Sequence, residues 1–569
     1  MSLAPTEAQR LFLLTVVIGG VCGLAAVLFH LAIRFVERLA IGQAMSAPGE
    51  SWIPWTIVTP VLGGLVSGAL LHYVVPGARG SGVPQVKAAY GLGGRVPFRD
   101  AVGKFAIGTI QIGTGASLGR EGPTVQICAG IAGLVGRIAS LSPKNLRRLL
   151  PVGVAAGIAA AFNAPISAVT FTIEEVVGDL DQTVLSGVVV AAALAAVVER
   201  SVLGEHPVFE VSRKYGLNHP SSILLYAALG VAAAVVSLGF TDSLLDLRRW
   251  FARHPFARWA HPAAGGLVTG LLAVVALALL KARGVTGGGY ETLAEALSGT
   301  LGFRVMLALC AMKLVATVFC YSSGGAGGIF APALFIGAML GGAVGFLDVR
   351  LLGHGHEELG NFALVGMGAV FAGIVRAPIT SVLIIFEMTG GYGLVLPLMI
   401  ANMTSYGLAR HWRPTPIYEA LLEQDGIHLP HRRRSVTQSL EGVRAEAAMA
   451  RPRPLLAGAT YQEVLAAFRG GAHEAHPVVD ERGALVGLLS ISDLRPVLGE
   501  DLHGLAVAAD LCRRPPPTIA EDEDLAAALE RMAGDGVDEL VVVSTTDPTR
   551  PLGVLTRAGL YEALRRSIA

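Results

Sequence analysis

The chain is poor in charge. Of its 569 residues, 44 are Lys or Arg and 43 are Asp or Glu, 15% in all, where a soluble chain carries roughly 25%. A formal net charge of +1 leaves no basic surface of the kind nucleic acids bind. Aromatic residues make up only 6%. The five cysteines, Cys22, Cys128, Cys310, Cys320 and Cys512, form no C-x-x-C pair and no Cys/His cluster. That pattern excludes a zinc or thiol-redox motif, and the cysteines read as buried, reduced and inert. No phosphate-binding loop, metal-ligand set or nucleophile–base pair is recognisable, so nothing points to an enzyme. The N-terminus lacks the short apolar run and small-residue cleavage site of a leader peptide.

What is abundant is apolar: 53% of residues are hydrophobic and 71 are glycine. Glycine at this density suits close helix packing and interrupted helices in a bilayer. The charge is also unevenly spread. It falls on 38 of the last 149 positions, a soluble-domain density, but on only 49 of the first 420. Residues 1–420 therefore read as a membrane domain and 446–569 as a soluble α/β domain. Between them lies a linker, 421–445, whose Arg432-Arg433-Arg434 run belongs on the cytoplasmic side. Runs 11–35, 53–75, 222–240, 261–280 and 301–321 are long enough to span. Others are short and broken by Gly or Pro: the run after Pro123, the run ending at Phe162, 165–177, and the run from Phe330.

The first 420 residues repeat themselves. Residues 163–174 match 376–387, with an offset of 213 both for Pro165 and Pro378 and for Glu174 and Glu387. Glu121-Gly122-Pro123 falls opposite Phe330-Ala331-Pro332 at an offset of 209. Two copies, about 1–205 and 220–420, follow. An odd number of crossings in each copy would invert the second. Short, Gly/Pro-interrupted segments at corresponding places in two halves point to a binding site between them. Glu174, having a mate in Glu387, reads as architectural.

Glu121 stands among glycines where Pro123 marks a helix start. Free N–H groups and the helix dipole attract anions there, and Glu121 is itself an anion. It reads as a gate that fills the site when charged and leaves when protonated. A carboxylate that merely complements the dipole is the plainer alternative. Gly80-Ser81-Gly82-Val83-Pro84 repeats the pattern, and Ser81 there is either an anion donor or a cap for its own backbone.

Gly80–Pro84, Gly119–Pro123, Gly327-Gly328-Ile329-Phe330-Ala331-Pro332 and Tyr418, in that order, resemble the CLC family of chloride channels and transporters over nearly the whole chain. The tail resembles a pair of CBS domains, 446–500 and 501–569. The resemblance implies an α-helical membrane fold of two inverted repeats with broken helices, plus an α/β CBS pair. It implies chloride bound by neutral donors: the Ser81 hydroxyl, N–H groups of Gly328, Ile329 and Phe330, and the Tyr418 hydroxyl. In relatives preferring nitrate a proline stands at the serine position, so Ser81 implies chloride. Glu175, opposed by Met388 in the second copy, matches the family's inner proton-transfer glutamate. A solvated Glu175 at the cytoplasmic edge is the alternative.

These matches imply chloride/proton antiport gated by Glu121. A passive gated chloride channel is the second reading, and a CBS nucleotide sensor without transport the third. Two positions depart from the family pattern: Gln85 stands where glutamate is usual, and Lys87 where some antiporters carry an acid. Lys104 matches a family lysine that either pairs with Glu175 or lacks its usual acidic neighbour. In the tail, Ser490 and Asp493 match ribose-binding positions. The second CBS unit keeps Thr556 but has Gly559 in place of the carboxylate. The resemblance thus allows one adenine-nucleotide site, or a pair that only packs, and it implies no required cofactor. The implied partners are chloride, protons, lipid and a second copy, with one pathway per chain. The implied location is a cell or inner membrane, crossed many times, with the CBS pair cytoplasmic.

Overall fold

Lipid offers the backbone no hydrogen bonds, so each apolar run must satisfy its own N–H and C=O groups as a helix. The computed structural model describes residues 7–178, 182–204, 216–254, 257–429, 440, 442–469, 473–497 and 506–568. The basic run 432–434 lies outside them. Two compact units are present, Met1–Leu429 and Pro430–Ala569.

The first repeat comprises α1 (Glu7–Glu37), α2 (Trp52–Tyr73), α3 (Val83–Gly91), α4 (Phe98–Gly113), α5 (Glu121–Ile138), α6 (Pro143–Phe162), α7 (Pro165–Phe171) and α8 (Gln182–Leu203). Wider π-type turns continue α7 over Thr172–Val177. The second comprises α9 (Ile223–Arg253), α10 (His261–Val275), α11 (Tyr290–Leu297), α12 (Phe303–Ser322), α13 (Phe330–Leu352), α14 (Glu358–Val375), α15 (Pro378–Thr389), α16 (Val395–Trp412) and α17 (Ile417–Gln424). Proline opens α3, α6, α7 and α15, at positions where its missing N–H costs nothing.

Eight helical stretches among the described residues are long and apolar enough to cross a bilayer. The apolar windows of α13 and α14 are 83% and 100% buried, against 33% to 44% for the other six. α13 and α14 are therefore central, together with α5 and α6 of the first repeat, which bury most of their residues, while the other six spanning stretches leave much of their surface exposed. α17 runs through residue 421 to Gln424, so the boundary expected after residue 420 falls inside a helix. That helix has its own buried face, Ile417, Tyr418, Leu421 and Leu422, which ties it to the first unit.

The two repeats interlock through a reciprocal exchange. Glu174 accepts from the N–H groups of Ile379 (3.1 Å) and Thr380 (2.8 Å) at the start of α15. Glu387 accepts from those of Ile166 (2.9 Å) and Ser167 (2.7 Å) at the start of α7. Each carboxylate thus caps the other repeat's helix, complementing the dipole and the open N–H groups together. This is the architectural role expected for the pair.

Among its described residues, the second unit holds two three-stranded sheets. The first contains β1 (Leu455–Leu456), β2 (Ala475–Val479) and β3 (Leu485–Ser490), with α18 (Tyr461–Arg469) between β1 and β2. The second contains β4 (Thr518–Ala520), β5 (Glu539–Val543) and β6 (Pro551–Thr556), with α19 (Leu525–Asp535) between β4 and β5 and α20 (Arg557–Ile568) after β6. In each, the first pair is parallel and the second antiparallel. The parallel first strands are too short to be read from periodicity. Val541, Val543 and Val554 pack against Ala475 and Leu488 across the two sheets.

Candidate functional site

The loop before α3 is shaped by glycine. Gly80 and Gly82 have φ of 78° and 102°, a region costly for any side chain with a Cβ. Lys104 on α4 donates to the Gly80 carbonyl at 2.6 Å. The Gln85 amide accepts from the Gly82 N–H and donates to the Arg79 carbonyl, each at 3.0 Å. Glutamate could accept there but, when ionised, could not donate. Gln85 is therefore spent on the loop's own backbone.

A second junction joins the repeats. Gly119 and Gly328 exchange N–H···O bonds of 2.7 Å in both directions, setting the N-termini of α5 and α13 beside each other. The Gly328 N–H is consumed in that bridge and cannot serve an anion, which corrects the donor set drawn from the sequence. The N–H groups of Ile329 and Phe330, at the open end of α13, have no backbone acceptor. The first loop meets this junction: a Cβ on Gly122 would lie 2.5 Å from Ser81 Oγ and 3.3 Å from Gly328 Cα. Glycine at 122 is what allows three sequence-distant motifs to meet.

Glu121 is fully buried at the first position of α5. Its Oε2 accepts from the Ala331 N–H in the first turn of α13 at 3.4 Å. Its Oε1 accepts from the Tyr290 hydroxyl. A carboxylate from one repeat thus lies over the helix start of the other, where negative charge is favoured. The Arg120 guanidinium stands 5.6 Å from the centre of the Tyr290 ring. Tyr290 was absent from the sequence-based site. It lies 169 positions from Glu121, and its only signal is the Gly287-Gly288-Gly289 run before it, which mirrors Gly80-Ser81-Gly82. Lys313 reinforces the parallel by donating to the Gly287 carbonyl at 2.6 Å, as Lys104 does to Gly80.

Ser81 and Tyr418 are both fully buried; their hydroxyls lie against each other, with Tyr321 and Glu175 close by, and reach no further protein partner at bonding geometry. A buried polar group left unpaired costs about 1–3 kcal/mol. Two such hydroxyls facing each other make a neutral donor pair suited to an anion. The Phe330 ring packs between Phe162 (4.7 Å) and Phe371 (4.2 Å), fixing the start of α13.

Glu175 sits in the π-type turns after α7, its side chain 4% exposed, so it is no solvated edge residue. Its Oε1 lies 2.7 Å from Lys87 Nζ, which also reaches Glu419 Oε1 at 2.9 Å. The structure overturns a Lys104–Glu175 pair, since Lys104 is turned to the Gly80 carbonyl. Lys87, a departure from the family pattern, is the partner instead.

In the soluble unit, Asp493 Oδ2 accepts from the Ser490 N–H (3.0 Å) and hydroxyl (2.8 Å), while Oδ1 pairs with Arg513 at 3.0 Å. Thr556 Oγ1 accepts from the Gly559 N–H at 3.2 Å. All three candidate nucleotide residues therefore also cap helix starts. Four cysteines are buried as expected, but Cys512 is only partly so. Among the described residues no cluster of His, Cys, Asp and Glu could hold a metal.

Comparison with known proteins agrees with this geometry. The profile described as voltage gated chloride channel matches residues 63–410, and the CBS domain profile matches 446–500 and 507–566. The H(+)/Cl(-) exchange transporter ClcA of Salmonella arizonae is 33% identical over 422 residues, covering 72% of this chain and 88% of that protein. A slow cyanobacterial Cl-/H+ antiporter superposes with a TM-score of 0.67 at 26% identity, over 76% of this chain and 100% of its own. A eukaryotic CLC transporter shares the fold, with a TM-score of 0.61 at 21% identity over 97% of this chain and 98% of its own.

Proposed function

The chain belongs to the voltage gated chloride channel family, and on that footing we propose that it exchanges chloride for protons, with Glu121 as the carboxylate both ions meet. It is an integral, multi-pass membrane protein, and its family comprises transporters rather than enzymes. The observation that carries the proposal is the placement of Glu121. It is buried over the α13 N-terminus and held by Ala331 and Tyr290, beside two unsatisfied hydroxyls.

Chloride takes the Ser81 and Tyr418 hydroxyls and the N–H groups of Ile329 and Phe330. These donors are neutral, so the ion exchanges its hydration shell for partial charges without being trapped. Glu121 competes for the same helix start. Protonated, it no longer gains from the dipole, and it yields the place to chloride. Glu175 supplies protons from the cytoplasmic side. Chloride-driven proton movement in liposomes holding the purified protein tests the reading. Protons should move uphill under a chloride gradient, and chloride flux without proton movement would overturn antiport in favour of a channel.

Two finer readings accompany it. The protein works as a homodimer with one complete pathway per chain, because each chain already contains both repeats. The CBS pair takes one adenine nucleotide at Ser490 and Asp493, the nucleotide displacing Arg513 from Asp493. Asp493→Ala should then abolish an adenine-nucleotide thermal shift seen in the wild type. A wild type with no shift leaves the pair as a packing module.

A further inference from the structure

Lys87 is a buried charged residue that the mechanism above leaves unused. It lies on α3, the helix that starts at the Ser81 loop, and it is 9% exposed. Its ammonium meets Glu175 at 2.7 Å and Glu419 at 2.9 Å. Glu419 is on α17, next to Tyr418. One cation thus joins the buried acid, the serine helix and the tyrosine helix.

The three groups differ in access. The Glu175 side chain is 4% exposed, that of Lys87 11% and that of Glu419 37%. They form a row from protein interior to surface. The first unit ends at Leu429, a few residues after Glu419, so the exposed end of the row lies near that unit's C-terminal end. The elements packed against α3 also carry Lys144, Arg148 and Glu423, and four further charged residues engaged elsewhere. Glu174 caps α15, Glu121 bonds Tyr290 and Ala331, Arg147 stands over the Tyr90 ring, and Arg137 donates to Gly133.

The charge count sets what the cluster can do. One ammonium between two ionised carboxylates carries a net charge of −1, and a single proton brings it to zero. Charge inside a membrane protein is costly unless balanced, so this cluster has room for one proton and a reason to release it when the chloride path refills. We propose that Glu419 is the entry acid for protons from the cytoplasmic side, and that Lys87 joins it to Glu175 as a single one-proton loading unit. This rests on the antiport reading. The proton bound by a Glu419 carboxylate oxygen passes to a Glu175 carboxylate oxygen through Lys87, whose Nζ gives one proton to Glu175 and takes one from Glu419. The ammonium is restored and no charge is created. The same ion pair ties α3 to α17, so loading and the spacing of Ser81 and Tyr418 share a mechanical link.

The test compares Glu419→Gln, Glu419→Asp and Glu419→Ala, with Lys87→Met, in the full chain reconstituted in liposomes, reading proton and chloride flux together. Gln keeps an acceptor for Lys87 but cannot carry the proton. The expected result is a several-fold fall in proton flux and a lower proton-to-chloride ratio in Glu419→Gln, recovery of both in Glu419→Asp, and a lowered ratio in Lys87→Met. A Glu419→Gln variant with the wild-type ratio overturns the proposal. So does a Glu419→Ala variant slowed in both fluxes at an unchanged ratio, which marks Glu419 as a brace. A wild type that carries chloride with no protons overturns the antiport reading and this one together, whereas a coupled wild type matched by Glu419→Gln overturns this one alone.

Discussion

The Tyr290 hydroxyl donates to Glu121, so the carboxylate proposed as the gate is held by a side chain from the opposite repeat. A hydrogen bond to a charged group contributes about 1.5–3 kcal/mol, and Glu121 must break this one whenever it leaves. Tyr290→Phe keeps the ring under Arg120 and removes the hydroxyl, with its donation to Glu121 and its contact with Arg120. Release of Glu121 should become easier by roughly ten- to a hundredfold in equilibrium, which predicts faster chloride flux and looser proton coupling in liposomes. Wild-type rate and ratio in the variant would mean that Tyr290 merely fills space.

Ser81→Pro removes the buried hydroxyl that stands beside that of Tyr418 at the candidate anion site. The expected outcome is a shift of the nitrate-to-chloride flux ratio toward nitrate. An unchanged ratio would remove Ser81 from the anion site.

Glu121→Gln and Glu175→Gln should separate the two ions differently. The first leaves chloride movement passive and insensitive to pH, since the competing charge is gone. The second stops proton movement while chloride flux continues, because Glu175 touches Lys87 and not the α13 N-terminus. Identical behaviour of the two variants would contradict the division of labour.

In the soluble unit, burial pushes the Glu539 carboxyl above the usual carboxylate range, opposed by Arg513 and assisted by Asp538, Asp493 and Glu474. Its folded-state pKa thus exceeds its unfolded value, so the folded state holds more protons between the two. Stability therefore falls as pH rises through that window. Glu539→Gln should stabilise this unit at neutral pH and lose the advantage below the ordinary carboxylate range. Hydrogen exchange of the β5 amides at two pH values in the intact protein checks the sign.

The membrane fold was legible because glycine, proline and the two offsets survive in the sequence. Pro165 and Pro378 fix helix starts, and the shared offset of Glu174 and Glu387 announces a pair. The contacts of that pair were not legible, since each glutamate serves the helix of the other copy. Glu121, Ser81 and Tyr418 were recognisable from local motifs. Tyr290 carried no motif and reaches Glu121 only through the second copy's glycine loop. Gly328 misled for the opposite reason: its motif is plain, but an N–H at a helix start can be claimed by the backbone, here by Gly119. Lys87 stood out as a departure, while its second partner, Glu419, lies hundreds of positions away and is fixed only when α17 folds back on α3.

The exchange of Glu174 and Glu387 makes the two copies interdependent. Parted from the second copy, α7 would present its first amides without the carboxylate that now covers them, and α15 would lose the cover that comes from the first. Damage to either glutamate is therefore felt at a helix start in the other half, more than 200 positions away along the chain.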